Sequence, residues 1–272
     1  MPPKVGILAG GGDLPGRLVE ACRATGREFF VIAFEGEDSE PIPEVAAARV
    51  GVGAVGKTLK LLHDEGCEEV VLAGPIKRPA LKSLKLDWRG ARLLPKVAAA
   101  KGDNALLSVV LDALEGEGFR VIGADDLLPQ LLAPEGTLGR HRPSEEDLRD
   151  IDRGSQILRA LGPYDIGQAV VLEEGRVLGI EAAEGTRALL DRIPSLKLAA
   201  GRGVLVKLAK PGQDRRVDRP AIGESTVRQA AEAGLAGIAV EAGGAIIIDL
   251  QSVTATADEL GLFVVGIVPT EA

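Results

Sequence analysis

The sequence predicts an α/β protein of two domains, the first a Rossmann-like doubly wound sheet and the second a mixed sheet with helices. Apolar runs of strand length alternate with helical patterns along the 272 residues. Glycine turns join several of the predicted strands to the helices that follow them. A stretch rich in proline and glycine lies near the middle, so we place the domains at residues 1–132 and 143–272 and a linker at residues 133–142.

The composition is that of a globular protein with an aliphatic core. Hydrophobic residues make up 46% of the chain and aromatic residues only 3%, so stacking on nucleic-acid bases is not expected. The formal net charge of -8 also argues against nucleic acid as a partner. Cys22 and Cys67 indicate inert thiols in a reducing compartment. No apolar run reaches the roughly 18 residues of a spanning helix, so we expect a cytoplasmic protein that is at most peripheral to a membrane.

The first predicted strand, Val5–Ala9, ends in the glycine run Gly10–Gly12, and a helical pattern begins at Leu14. Backbone N–H groups in such a turn can approach an anion at a helix N-terminus. The turn is therefore either a phosphate cradle or a plain tight turn. Pro15 stands where the dinucleotide-binding fingerprint requires glycine for close helix packing.

A second predicted strand, Phe29–Phe34, precedes a match to the P-loop expression. The segment Gly51–Thr58 fits G-x-x-x-x-G-K-[ST] letter for letter, and a helix is predicted over Lys57–Glu65. A P-loop enzyme also needs a nearby strand that ends in aspartate to hold Mg²⁺, whereas the next strand, Val70–Gly74, ends in glycine. We interpret the match as chance and keep a P-loop nucleotide hydrolase or kinase as an alternative.

Basic and capping residues follow the third predicted strand. Lys77 lies in a basic loop at the end of the sheet where open α/β proteins bind ligands. Asp103 or Asn104 is placed to cap a helix that runs to about Leu114, and Arg120–Ile122 is predicted as the fourth strand.

The second half begins with a capping box at Ser144, which predicts a helix to about Leu161. Ala169–Leu172 and Arg176–Ala182 are predicted to form a hairpin. The further predicted elements are a glycine turn and helix after Glu181, a strand over Gly203–Lys207, a helix from Thr226 to Ala233, and strands over Gly237–Val240, Ala245–Leu250 and Phe263–Val268.

The stretch Lys207–Gly223 has a positive net charge, although the chain as a whole is acidic. It contains five cations and two carboxylates: Lys207, Lys210, Asp214, Arg215, Arg216, Asp218 and Arg219. Cations neutralise phosphate oxygens, and a carboxylate between them can hold Mg²⁺ or orient water, so a diphosphate is one candidate ligand. A solvated charged turn is the other interpretation. Asp218 lies between a strand end and a helix start, where loops on a rigid scaffold often carry chemistry.

Seven segments of the chain together resemble one enzyme family. They are V-G-I-L-A-G-G-G-x-L-P, G-C-E-x-V-V-L-A-G, K-G-D-N-A-L-L, D-I-G-Q-A-V-V, E-A-A-E-G-T, K-P-G-Q-D-R-R-V-D-R-P-A-I-G and A-G-L-A-G-I-A-V-E-A-G. In this order, from Lys4 to Val268, they resemble the UDP-2,3-diacylglucosamine pyrophosphatases of lipid A biosynthesis, of the type unrelated to calcineurin-like phosphoesterases. The resemblance implies two α/β domains, dependence on Mg²⁺, and hydrolysis of the substrate's diphosphate to UMP and 2,3-diacylglucosamine 1-phosphate.

The resemblance also implies roles for individual residues. The family's essential aspartate falls at Asp218, which is expected to ligate Mg²⁺ or position the attacking water, with Asp214 as a second candidate ligand. The catalytic cations are expected to be Lys207, Lys210 and Arg216. The expected substrate-binding residues are Gly10, Gly11, Gly12 and Lys77 for the uridine half, Gly185 and Thr186 for the glucosamine phosphate, and in addition Gln168 and Gln213. Asn104 stands where the family often has a second aspartate.

The implied partners are a lipid-linked nucleotide sugar and, transiently, the inner face of the inner membrane, with no nucleic acid. A homodimer is expected, because small two-domain α/β proteins with a cleft often pair. Two further alternatives stay open, a noncatalytic nucleotide-sugar-binding protein and a Rossmann oxidoreductase with Glu35 at the ribose. His63 and His141 have no nucleophile or metal ligand as a sequence partner, so both are predicted at the surface.

Overall fold

The computed structural model describes residues 2–35, 47–76, 86–100, 102–198 and 202–269. The chain separates into two compact units, Met1–Pro129 and Gln130–Ala272. Among the residues described, no helix combines the length and the apolar character needed to cross a bilayer.

The first unit is built on a five-stranded parallel sheet. Its helices and strands are, in chain order, β1 (Val5–Ala9), α1 (Leu14–Thr25), β2 (Phe29–Glu35), β3 (Ala47–Gly51), α2 (Val55–Asp64), β4 (Glu69–Ala73), α3 (Trp88–Ala99), α4 (Asp103–Glu115), β5 (Arg120–Ile122) and α5 (Ala124–Leu127). The strand order is β3-β2-β1-β4-β5, which confirms the predicted Rossmann-like sheet. Strand β1 is central and wholly buried, as expected of an apolar run that is covered on both faces.

The turns that follow β1 and β4 pack directly on each other. The N–H of Gly10 donates to the carbonyl of Ala73 and that of Gly11 to the carbonyl of Pro75, both at 2.8 Å. A Cβ on Gly10 would lie 2.4 Å from the Pro75 oxygen, and a Cβ on Gly74, at φ 81°, would lie 2.1 Å from the Gly11 oxygen. Glycine is therefore required on both sides of this contact.

The second unit contains a six-stranded mixed sheet and a two-stranded one. Its helices and strands are β6 (Gly136–Leu138), α6 (Glu145–Leu161), β7 (Ala169–Glu173), β8 (Arg176–Ile180), α7 (Gly185–Arg192), β9 (Val204–Lys207), β10 (Ala221–Ile222), α8 (Glu224–Glu232), β11 (Gly237–Glu241), β12 (Ile246–Ile247), α9 (Leu250–Leu260) and β13 (Phe263–Ile267). The large sheet has the order β6-β13-β11-β9-β7-β8, in which β9, β11 and β13 are parallel. The other neighbours are antiparallel, which confirms the predicted mixed sheet.

Helices cover both faces of this mixed sheet. On one face, Ile151 and Leu158 of α6 pack with Val170 of β7. The next residue along the strand, Val171, points to the opposite face and packs with buried residues of α7, α8 and α9. This alternation is the period of two expected of a strand. Strand β9, from which the cationic loop (residues 208–220) departs, belongs to this buried sheet.

The predicted linker is part of the second unit. Within residues 133–142, Gly136–Leu138 forms an edge strand that pairs antiparallel with β13. A Cβ on Gly266 of β13 would lie 1.8 Å from the carbonyl oxygen of Pro134, so glycine lets this connection lie against the strand. The proline and glycine residues that indicated a linker instead allow close backbone packing.

Several local predictions can be checked against the elements. The capping box at Ser144 is confirmed, since its Oγ accepts from the Asp147 N–H at 3.2 Å. The hairpin of β7 and β8 is also confirmed. Helix α8 begins at Glu224 rather than Thr226, because the Thr226 hydroxyl lies at the third helical position and accepts from the N–H of Gly223 at 3.4 Å. The predicted strand Ala245–Leu250 shortens to β12, because Asp249 caps helix α9.

The cysteines are unpaired and the histidines lie at the surface, as predicted. Cys22 and Cys67 are both reduced and buried. Burial raises the pKa of the Cys67 thiol to about 11, so it carries little thiolate at neutral pH and is inert. His63 and His141 are both exposed.

Candidate active site

The cationic loop between β9 and β10 holds Asp218 in a tight turn. The N–H groups of Val217 and Asp218 both donate to the carbonyl oxygen of Asp214 at 3.1 Å. Strand β9, which delivers the chain into this loop, ends at Lys207 beside the parallel strand β11. The loop thus leaves the carboxyl end of a parallel strand, where open α/β sheets place their ligands.

Two glutamine amides hold the Asp218 carboxylate. Nε2 of Gln168 donates to Oδ1 at 3.0 Å, and Nε2 of Gln213 donates to Oδ2. The Gln213 side chain is buried, and its Oε1 accepts from the Lys210 N–H at 3.1 Å and from Gln168 at 3.2 Å. Because this oxygen is committed to two donors, the amide nitrogen of Gln213 faces the carboxylate.

The protein environment of Asp218 favours the protonated, neutral carboxyl group over the carboxylate more than water would. Burial raises the pKa of Asp218, against the hydrogen bond from Gln168, the positive charge of Lys210 and the hydrogen bond from Gln213. The Lys210 ammonium contacts Asp165, with Nζ and Oδ1 2.5 Å apart, and so acts on Asp218 through space. A positive charge placed against this carboxylate would offset the cost of its burial.

A second chain of hydrogen bonds ends on a buried lysine. Lys207 is only 6% exposed, and its Nζ donates to Oγ1 of Thr186 at 2.8 Å and to the carbonyl of Ala221 at 3.1 Å. The Thr186 hydroxyl in turn donates to Oε1 of Glu181 at 2.6 Å. Burial lowers the pKa of Lys207, and the negative charge of Glu181 opposes that effect.

Gln168 joins the two groups. Its side chain reaches Asp218, while its backbone N–H donates to Oε2 of Glu181 at 2.9 Å. Its carbonyl accepts from the N–H of Leu208, the first residue after β9, at 3.0 Å. The structure therefore brings Asp218, Lys207, Thr186 and Gln213 into one network around a single glutamine.

Two of the predicted site residues bind each other. The Arg216 guanidinium pairs with the Asp214 carboxylate, with Nη2 and Oδ2 2.6 Å apart, and the Arg216 N–H donates to Oδ1 at 3.0 Å. The hydrogen bond from Arg216 lowers the pKa of Asp214, although partial burial opposes it. This local pair braces the turn that carries Asp218, which makes Asp214 a weaker candidate for a metal ligand and Arg216 a weaker one for phosphate.

Other backbone N–H groups that were expected to bind an anion already donate to carbonyl groups of the protein. The N–H groups of Gly10 and Gly11 donate to backbone carbonyls, so the plain tight turn accounts for these two amides and the phosphate cradle does not. The N–H of Gly185 donates to the Ala182 carbonyl at 3.3 Å, while its neighbour Thr186 enters the network described above. Lys77 lies outside the described residues.

Known families match this chain over nearly its whole length. The LpxI N-terminal domain model matches residues 4–131, and the LpxI C-terminal domain model matches residues 134–265. The protein named UDP-2,3-diacylglucosamine pyrophosphatase LpxI from Caulobacter vibrioides is 45% identical over 276 residues, which cover 98% of this chain and 99% of that protein. The chain belongs to the LpxI family. The resemblance carried by the seven sequence segments is thereby confirmed.

Two solved structures that resemble this LpxI chain show a distant likeness to it. CobK precorrin-6A reductase is 12% identical with a TM-score of 0.37, over 99% of this chain and 91% of that one. N5-carboxyaminoimidazole ribonucleotide synthetase from Thermotoga maritima is 15% identical with a TM-score of 0.27. This chain spans only 42% of the length of that synthetase, and 68% of this chain is covered. Scores this low support no argument about the site.

The segment of the LpxI chain that matches the P-loop expression already holds a carboxylate. Oδ2 of Asp87 accepts from the N–H of Lys57 at 3.0 Å, in the first turn of α2. A Cβ on Gly56 would lie 3.0 Å from that same oxygen. Asp87 thus takes the position at the helix N-terminus that a phosphate would take in a P-loop, which supports the interpretation of the match as chance.

Sequence reasoning missed two carboxylates of this LpxI site. Glu181 opens the segment E-A-A-E-G-T and Asp165 opens D-I-G-Q-A-V-V, so both lie in segments that carried the resemblance. Their roles depend on residues far along the chain: Glu181 is linked to Lys207 through the Thr186 hydroxyl, and Asp165 contacts Lys210 directly. The available signal was their position, since Glu181 lies in the second strand of the predicted hairpin and Asp165 lies shortly before its first strand.

The donor set suits a magnesium ion that is shared with a phosphate ligand. Within the described ranges, no group of three or more His, Cys, Asp and Glu side chains is arranged to hold a metal ion. Mg²⁺ is commonly held by one or two carboxylates together with substrate phosphates and water. Asp218 fits such a site, because burial disfavours its charge and a cation would restore it.

Proposed function

We propose that this chain hydrolyses the diphosphate of UDP-2,3-diacylglucosamine in lipid A biosynthesis, in a reaction that depends on Mg²⁺ and yields UMP and 2,3-diacylglucosamine 1-phosphate. The proposal is supported by the 45% identity to the Caulobacter pyrophosphatase over nearly the full length of both chains. The observation that carries it is the Asp218 carboxylate, held by two amides beside Lys210 in a loop at a strand end.

In this proposal Asp218 orients the attacking water or ligates the metal. The water oxygen bonds to one phosphorus, the bridging oxygen leaves with the other phosphate, and the proton of the water passes to solvent or to a nearby carboxylate. Gln168 and Gln213 keep both carboxylate oxygens in place, so the geometry is set before the substrate binds. When bound at Asp218 and the diphosphate, Mg²⁺ would neutralise the negative charge that develops on the phosphate oxygens.

The cations divide into two classes. Lys210 lies beside Asp218, and Lys207 donates a hydrogen bond to the Thr186 hydroxyl. We propose that both ammonium groups neutralise negative charge on the diphosphate. Arg216 and Asp214 hold each other, and we assign them to bracing the turn. Gly12 and Gly185 remain proposed neighbours of the substrate, with the Gly185 N–H already bonded to the Ala182 carbonyl.

The decisive measurement is release of UMP from UDP-2,3-diacylglucosamine in the presence of Mg²⁺. We expect Asp218→Asn to lose about 10²-fold or more in kcat, because a positioned carboxylate contributes about that much. Chelation of the metal should stop the wild-type reaction, and added Mg²⁺ should restore it.

Lys57→Ala is the matched control, because it changes the charged residue of the P-loop match. It should keep the wild-type rate within about twofold, since the backbone N–H of Lys57, and not its side chain, binds Asp87. Full activity in Asp218→Asn would overturn the site assignment. Loss of activity in Lys57→Ala would favour a P-loop hydrolase, and wild-type protein that binds a UDP-sugar without releasing UMP would be a binding protein only.

A further inference from the structure

The most basic segment of the sequence lies in its first half, apart in sequence from the stretch Lys207–Gly223. Residues 77–101 contain eight Lys and Arg residues and a single acid, Asp87, in a chain whose net charge is -8. Helix α3 is the described helix within this segment, and it contains three cations and no acid. A local charge of this sign is expected to attract a polyanionic partner.

Helix α3 presents one continuous exposed face, which we call the outer face. It consists of Trp88, Ala91, Arg92, Pro95, Lys96 and Ala99, all of them exposed. Trp88, Arg92 and Lys96 are spaced four residues apart and therefore lie in a row along the helix. Trp88 is 63% exposed, although tryptophan is normally well buried, and it is the only tryptophan in the chain.

Arginine side chains flank the exposed tryptophan. The guanidinium carbon of Arg89 lies 5.4 Å from the centre of the Trp88 ring, and that of Arg92 lies 5.6 Å from it. Arg89 is also paired with Glu117 at 2.5 Å. Arg92 and Lys96 therefore supply the positive charge of the outer face, with an aromatic ring at its centre.

The inner side of α3 is fixed to the rest of the first unit. The N–H of Gly90 donates to Oδ1 of Asp87 at 2.8 Å, and a Cβ on Gly90 would lie 2.4 Å from the carbonyl oxygen of Gly53. Gly90 is the only fully buried residue of α3 in the described chain. The helix is thus held on one side by a close backbone contact. Its outer face is exposed, and Trp88, Arg92 and Lys96 line a groove to which α4 contributes Asp112.

We propose that the outer face of α3 docks this protein on the surface of an anionic lipid bilayer. Surface-bound helices attract anionic lipids through Lys and Arg and often carry tryptophan, and this face presents Trp88 beside Arg92 and Lys96. Tryptophan is favoured at the headgroup level, where the ring is partly buried and its N–H stays hydrated. The inference rests on the proposed function, because a substrate with two acyl chains resides in a bilayer.

Trp88 provides a direct test of this docking. Purified full-length protein is titrated with vesicles of equimolar phosphatidylglycerol and phosphatidylcholine, and tryptophan emission and co-sedimentation are measured. We expect a shift of the emission to shorter wavelength together with binding, and neither with vesicles of phosphatidylcholine alone. High salt should weaken the binding, because the attraction to anionic lipid is screened.

A charge-reversal pair identifies the surface. Arg92→Glu combined with Lys96→Glu should weaken vesicle binding at least 10-fold, since each basic residue near an anionic surface contributes about fivefold in affinity. The matched control is Arg149→Glu combined with Arg153→Glu, which reverses two exposed arginines with the same spacing on α6. The control should bind vesicles with an affinity within about threefold of wild type, because it changes the net charge of the protein but not the outer face of α3.

Vesicle binding without any change in Trp88 emission would overturn the proposal, as would equal weakening by both charge-reversal pairs. An emission shift that depends on protein concentration without lipid would indicate a second copy of the chain on this face. A shift caused by inorganic pyrophosphate alone would indicate a diphosphate site instead.

UMP release from substrate in detergent micelles should be unchanged in the Arg92 and Lys96 variant, so a failure of docking and a failure of the proposed hydrolysis can be distinguished.

Discussion

At the scale of single residues, the candidate site depends on partly buried polar groups that each bind two partners. Gln168 donates from its side chain to Asp218 and from its backbone to Glu181, and the Thr186 hydroxyl accepts from Lys207 while it donates to Glu181. In such a network the loss of one member leaves others unsatisfied in a region of low dielectric. The groups around Asp218 should therefore affect catalysis as a unit rather than one by one.

Glu181 is predicted to keep Lys207 charged. Burial lowers the pKa of Lys207 and the Glu181 carboxylate opposes this, so Glu181→Gln should lower that pKa further. The lysine then loses its proton at a lower pH than in the wild type. We expect the alkaline limb of the pH profile of kcat to move to lower pH, with little change on the acidic side.

Glu184→Gln provides the control for that experiment. Glu184 lies in the same turn and pairs with Arg192 at 2.8 Å, and it has no contact with Lys207 or Thr186 among the described hydrogen bonds. Its pH profile should match that of the wild type. An unchanged alkaline limb in Glu181→Gln would mean that Lys207 does not carry the charge used in the reaction.

At the scale of helices and strands, one carboxylate ties two helix N-termini together. Asp87 accepts from the N–H of Lys57 in α2 through one oxygen and from the N–H of Gly90 in α3 through the other. Each such contact satisfies a backbone donor that the helix itself leaves unpaired. The start of α3 is therefore set by a residue that also caps its neighbour.

Asp87→Ala should destabilise the first unit by about 2 kcal/mol, because the loss of a cap costs about 1 kcal/mol at each helix. Urea denaturation followed by tryptophan emission measures this change. Asp64→Ala is the control, since it removes an exposed carboxylate that pairs with the exposed Lys60 in the same helix, and it should change the stability by less than about 0.5 kcal/mol. Equal effects of the two changes would contradict the double cap.

Helix α3 shows why some elements escaped sequence reasoning. Gly90 and Pro95 lie inside it, and both residues are poor helix formers. Its position is decided by contacts of Gly90 with Asp87 and with Gly53, and the latter is far away in sequence. By contrast, α6 carries its own start signal at Ser144, and the sequence alone predicts it.

At the scale of the whole molecule, fold class was more predictable than the chemistry of the site. Alternation of strands and helices is a repeated local signal, and it correctly indicates a parallel sheet followed by a mixed one. The cationic loop also pointed to Asp218. Its internal pairing of Asp214 with Arg216 depends on the turn that the loop adopts, which spacing does not reveal. The hydrogen-bond chain from Lys207 through Thr186 to Glu181 requires the hairpin and β9 to be adjacent in the sheet.

Each of the two units contains a different chromophore. Trp88 lies in the first unit, and Tyr164, the only tyrosine, lies in the second. Each unit has its own buried residues, so we expect separate unfolding transitions, the first visible in tryptophan emission and both visible in far-ultraviolet circular dichroism. Asp87→Ala should then shift the emission midpoint and leave the second transition in place, whereas coincident curves would indicate one cooperative unit. The chain thus carries an intrinsic optical label by which the unfolding of one half can be followed separately.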